Sequence, residues 1–320
     1  MVSNKPKVSY ITVEDEFSGQ RLDNFLLREL KGVPRSLIYR IVRRGEVRVN
    51  EGRTRAHKRL QKGDRVRIPP LRMSVRKPVP GSGLVIAFDT LFEDEHLLVI
   101  DKPAGIAVHA GSGIPWGLIE FLRQSRPEQR FLELVHRLDR DTSGCLIMAK
   151  RRGVLRRLHQ DLRQDTDRKN RVRKKYQALV AGNWAATNRV VEMPLRKNAE
   201  RSGERMVIVA DDGMYARSRF TTLQRFGHST LMEITLITGR THQARVHAAA
   251  SGHPILGDVK YGDMQGNSRF KSIGLGRLFL HASYLSFVHP ATAQRIEFVC
   301  PLPKDLENVI HQLIPDRHVV

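Results

Sequence analysis

The hydrophobic pattern of the first seventy residues predicts two short helices and a small hairpin. Apolar residues between positions 22 and 30 share one helical face, and those between 37 and 42 share another. Residues 46–50 and 65–68 alternate between apolar and polar positions, as strands with one buried face do. Residues 18–70 are therefore expected to form a compact α/β unit.

The pattern changes after position 87, where longer apolar runs begin. Residues 97–100 and 145–149 predict buried strands, and the apolar positions of 154–163 predict an amphipathic helix. Further strands are predicted at 177–180, 190–193, 205–210, 215–223, 229–236 and 295–299. Strands that follow one another without regular helical crossovers favour an α+β fold with a mixed, largely antiparallel sheet and flanking helices.

Proline and glycine divide the chain between these two patterns. Residues 71–86 hold both residue types and little periodicity, which is typical of a linker. We therefore expect an N-terminal segment at 1–17, a small α/β domain at 18–70, the linker at 71–86 and a larger domain at 87–320.

Charge points to a polyanionic partner. The 55 Lys and Arg residues exceed the 33 Asp and Glu residues, giving a net charge of +22, and such an excess favours nucleic acid over an anionic membrane or small anions. Residues 18–70 hold 15 basic and 5 acidic residues, a net +10. The basic face of the second predicted helix is either a phosphate-binding surface or a solvated face. Its arginines are Arg35, Arg40, Arg43 and Arg44.

The sequence also narrows the chemistry and the compartment. It contains no phosphate-binding P-loop, no Rossmann glycine motif, no Gly-x-Ser-x-Gly elbow and no His-Glu-x-x-His zinc motif. We therefore expect a reaction that needs neither a cofactor nor a metal. No run of apolar residues is long enough to span a membrane, and no signal peptide is apparent. Cys145 and Cys300 are expected to be buried thiols, which is consistent with the cytoplasm.

Residues 136–144, which precede the apolar run at 145–149, form the most distinctive motif of the chain. Asp139 lies between Arg137 and Arg140, and nearby guanidinium groups favour an ionised carboxylate. Such a group can attract cations, attack an electrophilic carbon or hold the two arginines. It can also bond backbone amides in a turn, although Asp141 is the better candidate for that role.

The two domains resemble known families. Residues 18–70 resemble the S4 RNA-binding domain in residues 21–26 and 45–52, in Ser36 and in the Gly63-Asp64 pair. The larger domain is similar to the RluA-type pseudouridine synthases, from about residue 88 to 303. The segments that carry this similarity occur in family order at 101–109, 136–144, 174–179, 239–247 and 280–282.

The resemblance implies site-specific isomerisation of several uridines to pseudouridine in large-subunit ribosomal RNA. It assigns Asp139 as the nucleophile, Arg240 as its ion-pair partner and Arg137 as the residue that replaces the flipped base. Tyr176 matches the tyrosine that packs on the uracil and could help to remove the C5 proton. His136, Ile147 and Leu302 are assigned to the substrate pocket.

The partners follow from the same resemblance. We expect a monomer that binds large-subunit ribosomal RNA or an assembling large subunit, without a membrane. Residues 168–173 form a basic insert that departs from the family pattern, and it is either an extra phosphate contact or a solvated loop. Two other functions stay open: a non-catalytic RNA-binding or assembly factor, and a metal-dependent nuclease that uses Asp139 and Asp141.

Overall fold

The computed structural model of the chain describes residues 8–30, 33, 35–71, 86–110, 116–163, 172–199 and 205–314. The chain divides into two compact units, Met1–Ile86 and Ala87–Val320. Residues 72–85 of the predicted linker and residues 168–171 of the predicted insert lie outside the described residues.

The first unit packs two helices beside a four-stranded antiparallel sheet, in the strand order β1-β4-β2-β3. Its elements are β1 (Ser9–Thr12), α1 (Leu22–Glu29), α2 (Arg35–Arg43), β2 (Arg48–Val49), β3 (Gly52–Arg53) and β4 (Arg65–Ile68). The apolar faces that the sequence predicted are buried, including Phe25, Leu26, Ile38 and Ile41. Because β1 pairs along the whole of β4, residues 9–12 belong to this unit rather than to a separate N-terminal segment.

The second unit is built on a ten-stranded sheet, accompanied by a separate antiparallel pair made by β11 and β12. In chain order its strands are β5 (Asp89–Glu93), β6 (Leu97–Lys102), β7 (Glu133–Leu134), β8 (Ser143–Ala149), β9 (Arg173–Ala181), β10 (Asn188–Glu192), β11 (Leu195–Ala199), β12 (Arg205–Val209), β13 (Arg217–Phe226), β14 (Ser229–Leu236), β15 (Leu280–Val288) and β16 (Arg295–Val299). Its helices are α3 (Leu118–Ser125), α4 (Arg152–Arg163), α5 (Gln243–Ala250), α6 (Met264–Lys271) and α7 (Lys304–His311).

The sheet is mixed and largely antiparallel, so the predicted fold class is confirmed. The main strand order is β10-β13-β14-β9-β15-β8-β6-β5, with β16 paired to β15 and β7 to β8. The pairing of β8 with β15 is parallel and the other pairings are antiparallel. This parallel pair lies at the centre of the sheet and joins its two halves.

Strand β8 is central and every one of its seven residues is buried. Its apolar sequence reflects burial on both faces, which is why the run at 145–149 stands out. Cys145 on this strand and Cys300, just after β16, are buried free thiols whose Sγ atoms lie 2.6 Å apart. The prediction of two buried thiols is therefore confirmed.

Candidate active site

The motif at residues 136–144 is the loop that leads into β8. The backbone N–H of Thr142 donates a hydrogen bond to the carbonyl oxygen of Asp139 at 3.2 Å, so the main chain closes the turn. The carboxylate of Asp141 instead pairs with the guanidinium of Arg140 at 3.1 Å, near the surface. The Asp139 side chain is therefore not used in building the turn.

A buried lysine fastens this loop to the end of β6. The Nζ of Lys102 donates to the carbonyl oxygen of Arg140 at 3.1 Å, and to those of Pro103 and Ile106 at 2.7 and 2.9 Å. Burial lowers the pKa of Lys102 to about 7, and the three carbonyl oxygens hold the amine in place. The Lys-Pro segment after β6 thus supports the loop that carries Asp139.

Gly144 fixes the other end of the loop. Its φ of +113° lies in a region that favours glycine, and a Cβ there would collide with the backbone of Ala282. Ala282 is its partner in the parallel pairing of β8 with β15. The requirement for glycine in the motif therefore comes from close contact between two central strands.

The carboxylate of Asp139 is held by an arginine of helix α5. Arg245 Nη1 donates to Asp139 Oδ2 at 3.0 Å, and the Nε and Nη2 atoms of Arg245 bind the two carboxylate oxygens of Asp258 at 2.7 and 2.8 Å. Burial opposes the charge of Arg245, but the two carboxylates outweigh it and raise its pKa. Burial likewise opposes ionisation of Asp258, yet the hydrogen bonds from Arg245 lower the pKa of that carboxyl overall.

The predicted ion pair between Asp139 and Arg240 is wrong. Arg240 Nε donates to the carbonyl oxygen of Tyr215 at 2.9 Å, while Arg245 occupies the position beside Asp139. Arg240 lies in the loop before α5, whereas Arg245 lies within the helix, which directs it towards Asp139. The signal that could have identified Arg245 is an arginine in an alanine-rich helix, because a charge buried in such a helix requires an acidic partner.

Asp139 opens onto a cleft of about 690 Å³. Arg137 is exposed at this cleft, and Tyr176 of β9 forms part of its wall. Burial and the negative charge of Asp139 raise the pKa of Tyr176, so its phenol keeps its proton at neutral pH. The cleft is also lined by the basic side chains Arg163, Lys174 and Arg240 and by the apolar side chains Leu134, Val135, Leu162, Val172 and Leu236. The structure therefore brings Asp139, Arg137, Tyr176 and Arg240 around one cavity.

His136 also lines the cleft, but as a neutral group. Its Nε2 accepts a hydrogen bond from the backbone N–H of Ile147 at 3.3 Å, and burial lowers the pKa of the imidazole to about 3. The side chain therefore holds the loop against β8, and it carries no charge with which to bind a phosphate at neutral pH.

The two apolar residues assigned to the pocket lie elsewhere. Ile147 is buried within β8, where it pairs with Val99 of β6, and Leu302 lies between β16 and α7. Neither is among the described residues that line the cleft or the small cavity beside Asp139. Leu138, Leu236 and Leu280 supply apolar lining of that cavity, and the assignment of Ile147 and Leu302 to the substrate pocket stays a prediction.

The first unit carries a basic surface of its own. Arg40, Arg43 and Arg44 are exposed on or next to α2, as the sequence predicted, whereas the side chain of Arg35 lies outside the described residues. A second basic cavity of about 400 Å³, which the sequence did not predict, is lined by Arg53, Thr54, Arg55, His57 and Lys58. Both features present positive charge suited to phosphate groups.

The described residues contain neither a metal-binding cluster nor a membrane-spanning helix. No three side chains of the His, Cys, Asp and Glu types converge where they could hold a metal ion. Within the same residues, no helix has the length and apolar character needed to cross a membrane.

Comparisons with known proteins agree with this architecture. Residues 96–250 match the RNA pseudouridylate synthase family, and residues 20–66 match the S4 domain. The chain is 49% identical over 315 residues to the ribosomal large subunit pseudouridine synthase C of Yersinia pestis, covering 97% of each chain. It is 45% identical over 320 residues to the protein of that name from Escherichia coli K12, covering 98% of this chain and 99% of that one.

Solved structures give the same result for the fold. The human RNA pseudouridylate synthase domain-containing protein 4 matches with a TM-score of 0.54 and 26% identity, over 69% of this chain and 91% of that chain. The human RNA pseudouridylate synthase domain-containing protein 1 matches with a TM-score of 0.57 and 22% identity, over 74% of this chain and 92% of that chain. The second likeness is one of fold alone.

Proposed function

The chain belongs to the RNA pseudouridylate synthase family, and from that premise we propose that it isomerises several uridines of large-subunit ribosomal RNA to pseudouridine. In this reaction the bond between N1 and C1′ breaks, the uracil turns, and C1′ bonds to C5. The C5 proton leaves and N1 gains a proton. Substrate and product are isomers, so the reaction balances without an oxidant or an energy source.

The observation that carries the proposal is the position of the Asp139 carboxylate, bound to Arg245 at the edge of the cleft. Its Oδ2 accepts a hydrogen bond from the guanidinium of Arg245, which fixes the orientation of the carboxylate, while the carboxylate faces the cleft. A nucleophilic carboxylate must be oriented and partly shielded from water, and Asp139 is paired with a guanidinium that orients it and is only partly exposed. It attacks either the ribose or the uracil.

The target base is stacked inside RNA and must first leave the stack. Arg137, two residues before Asp139, is exposed at the cleft. Its guanidinium is planar and can stack on bases or bind phosphates. We assign it to the space that the flipped uridine vacates. Exposure in the free enzyme suits this role, because the side chain must be available when the RNA arrives.

Tyr176 is assigned to the face of the flipped uracil. It is buried in the wall beside Asp139, and its ring offers an apolar surface on which a base can pack. Because its pKa is raised, the phenol must pass on its own proton before it can accept the one from C5. Packing is therefore its first role, and proton transfer depends on a second acceptor.

Large-subunit ribosomal RNA is proposed as the substrate because the relatives from Yersinia pestis and Escherichia coli carry that target in their names. The basic surface of the S4-like unit would hold the RNA through its phosphates. We propose that the enzyme acts as a monomer in the cytoplasm, where this RNA is assembled.

Tritium release tests the proposal. Full-length enzyme is incubated with large-subunit or small-subunit ribosomal RNA that contains 5-tritiated uridine, and the products are mapped for pseudouridine. We expect release from the large-subunit RNA alone, at several discrete sites. Binding of that RNA without release would instead support the non-catalytic assembly factor. Strand cleavage that a chelator abolishes, without tritium release, would support the metal-dependent nuclease.

A further inference from the structure

The two oxygens of the Asp139 carboxylate have different surroundings. Oδ2 accepts a hydrogen bond from Arg245 at 3.0 Å. Oδ1 lies 3.8 Å from Nε2 of His242, a distance that exceeds a direct hydrogen bond. Oδ1 is therefore the oxygen whose lone pairs are free to react, and His242 is the group that faces it.

His242 adopts an uncommon backbone conformation. It is the residue that precedes α5, and its φ of +53° and ψ of +20° place it in the left-handed region. Non-glycine residues in this region carry strain, and such strain persists where surrounding contacts impose it, often at functional sites. The conformation points the imidazole of His242 towards Asp139.

Tyr261 supplies the contact that fixes the imidazole. Its hydroxyl oxygen accepts a hydrogen bond from the backbone N–H of Val207 at 2.9 Å and lies 2.7 Å from Nδ1 of His242. Among the contacts described for the Tyr261 hydroxyl, Val207 supplies a donor and Nδ1 of His242 is the acceptor within reach, so the geometry directs the phenol proton to Nδ1. A neutral His242 then carries its proton on Nε2, the nitrogen that faces Asp139.

One turn positions both supports of the nucleophile. Asp258 binds Arg245 through both carboxylate oxygens, and its Oδ1 also accepts the backbone N–H of Tyr261 at 3.0 Å. Arg245 and Tyr261 are thus held by the same carboxylate. Arg245 in turn contacts Oδ2 of Asp139. Tyr261 contacts His242, which faces Oδ1.

We propose that His242, oriented by the hydroxyl of Tyr261, is a positioning residue that directs an Nε2–H donor to the reacting oxygen of Asp139. This inference rests on the proposed function. The separation of 3.8 Å in the free enzyme leaves Oδ1 able to attack. When the bond between enzyme and substrate breaks, negative charge returns to Oδ1, and a shortened hydrogen bond from Nε2 stabilises it there.

The charges around His242 are compatible with a neutral donor. Burial lowers its pKa, and Arg245 and Lys260 act in the same direction. Asp139 and Asp258 oppose them by raising the pKa, but the net direction is down. The imidazole is therefore a neutral hydrogen-bond donor at neutral pH rather than a second cation beside Asp139.

The tautomer gives a test that does not require turnover. Full-length enzyme labelled with ¹⁵N-histidine is studied by NMR at neutral pH, and His242→Asn identifies the resonances of His242, because asparagine tolerates the left-handed backbone. We expect a protonated Nε2 and an unprotonated Nδ1 in the wild type, and a larger share of the opposite tautomer in Tyr261→Phe. A wild-type His242 protonated on Nδ1, or an unchanged tautomer in Tyr261→Phe, would overturn the inference.

Turnover gives the second test. Tyr261→Phe keeps the ring and should lower kcat about tenfold, which corresponds to about 1.4 kcal/mol. His242→Asn should lower it on the order of 100-fold, with KM unchanged in both variants. His242→Gln should recover about tenfold over His242→Asn, since the glutamine amide reaches the position of Nε2. Thermal melts verify that the variants are folded.

A purely structural role for His242 predicts a different result. His242→Gln would then show no recovery, because glutamine relieves none of the strain at the left-handed backbone. Equal kcat in all variants would also overturn the inference. Failure of the proposed function is recognised separately, because the wild-type enzyme itself would then release no tritium.

Discussion

The guanidinium of Arg245 binds the carboxylates of both Asp139 and Asp258. This shared contact determines how the nucleophile is oriented. The side chain of Asp258 is fully buried and that of Asp139 is only partly exposed, so neither charge is well solvated. Asp258 anchors Arg245 and leaves one of its edges for Asp139. The nucleophile is therefore oriented by a buried network rather than by the exposed arginines next to it in sequence.

At the residue scale, we predict that Arg245→Met abolishes most of the activity and destabilises the fold. Loss of the guanidinium frees Asp139 and leaves Asp258 as a buried charge without its partner, which costs about 3–5 kcal/mol. Tritium release should fall at least on the order of 100-fold. Arg240→Ala is the matched control, because Arg240 lines the same cleft without contacting Asp139, and it should keep most of its turnover.

The pH dependence of Arg245→Met follows from Asp258. In the wild type the pKa of Asp258 is lowered, so its contribution to stability is present above the unfolded pKa of about 3.9 and is lost as the pH falls through the folded value. Without Arg245, burial raises that pKa instead, and the penalty grows as the pH rises. Urea unfolding should show a larger difference between variant and wild type at pH 7.5 than at pH 4.5. An equal difference at both values would contradict this account.

At the scale of elements, the two ends of the catalytic loop are held by the strands beside it. Lys102 holds the loop from the end of β6, and Gly144 allows β8 to lie against β15. Support of this kind keeps a nucleophile within a few tenths of an ångström of its working geometry.

We predict that Lys102→Met lowers turnover by reducing the order of this loop. The change leaves three carbonyl oxygens without their donor, which costs roughly 2–4 kcal/mol in all. Lys150→Met is the matched control: its amine binds Glu93 and the carbonyl oxygen of Asp94 at the other end of β8. Both variants should melt at lower temperature, but only Lys102→Met should lose kcat at a temperature where both are folded. Equal kcat losses would refute the positioning role.

Some elements were predictable from sequence because local pattern decides them. Strands β4 and β14 and the helix α4 follow apolar periodicity, and their predicted bounds agree closely with the structure. Strand β15 was not predicted, although it is central, because its buried positions include serine and histidine as well as apolar residues. Those polar groups are acceptable only because long-range partners satisfy them, such as the bond between Ser143 and His281.

The site likewise combines residues that local sequence pattern identifies with residues that long-range contacts determine. The family motifs located Asp139, Arg137 and Tyr176, because these residues lie in segments with a recognisable pattern. Whether Arg240 or Arg245 pairs with Asp139 depended on which of the two side chains the turn before α5 directs towards that carboxylate. That direction is set by the left-handed His242 and by contacts with residues far away in sequence. Periodicity carries no information about such contacts.

At the scale of the whole molecule, charge is distributed between two units that we assign different tasks. The S4-like unit holds nearly half of the net charge of +22 and exposes arginines on α2. The second unit holds the cleft and Asp139. Affinity for RNA and chemistry on the base should therefore be separable by mutation.

We predict that replacing Arg40, Arg43 and Arg44 by alanine weakens binding of large-subunit ribosomal RNA and reduces its salt dependence. Each lost phosphate contact lowers the slope of log K against log salt by about 0.7–0.9. Turnover at saturating RNA should be unchanged. Arg269, Lys271 and Lys304 are exposed in the second unit, and their triple alanine variant removes the same charge. If the control variant weakened RNA binding equally, the effect would come from net charge alone and not from the surface of α2.

The most direct test of the account is tritium release by Asp139→Asn on large-subunit ribosomal RNA that contains 5-tritiated uridine. Asparagine keeps the shape of the side chain and removes the charge that attacks. We predict no detectable release at enzyme concentrations where the wild type completes the reaction, with RNA binding retained within a few-fold. Release at a rate near that of the wild type would show that Asp139 is not the nucleophile and would contradict the central claim.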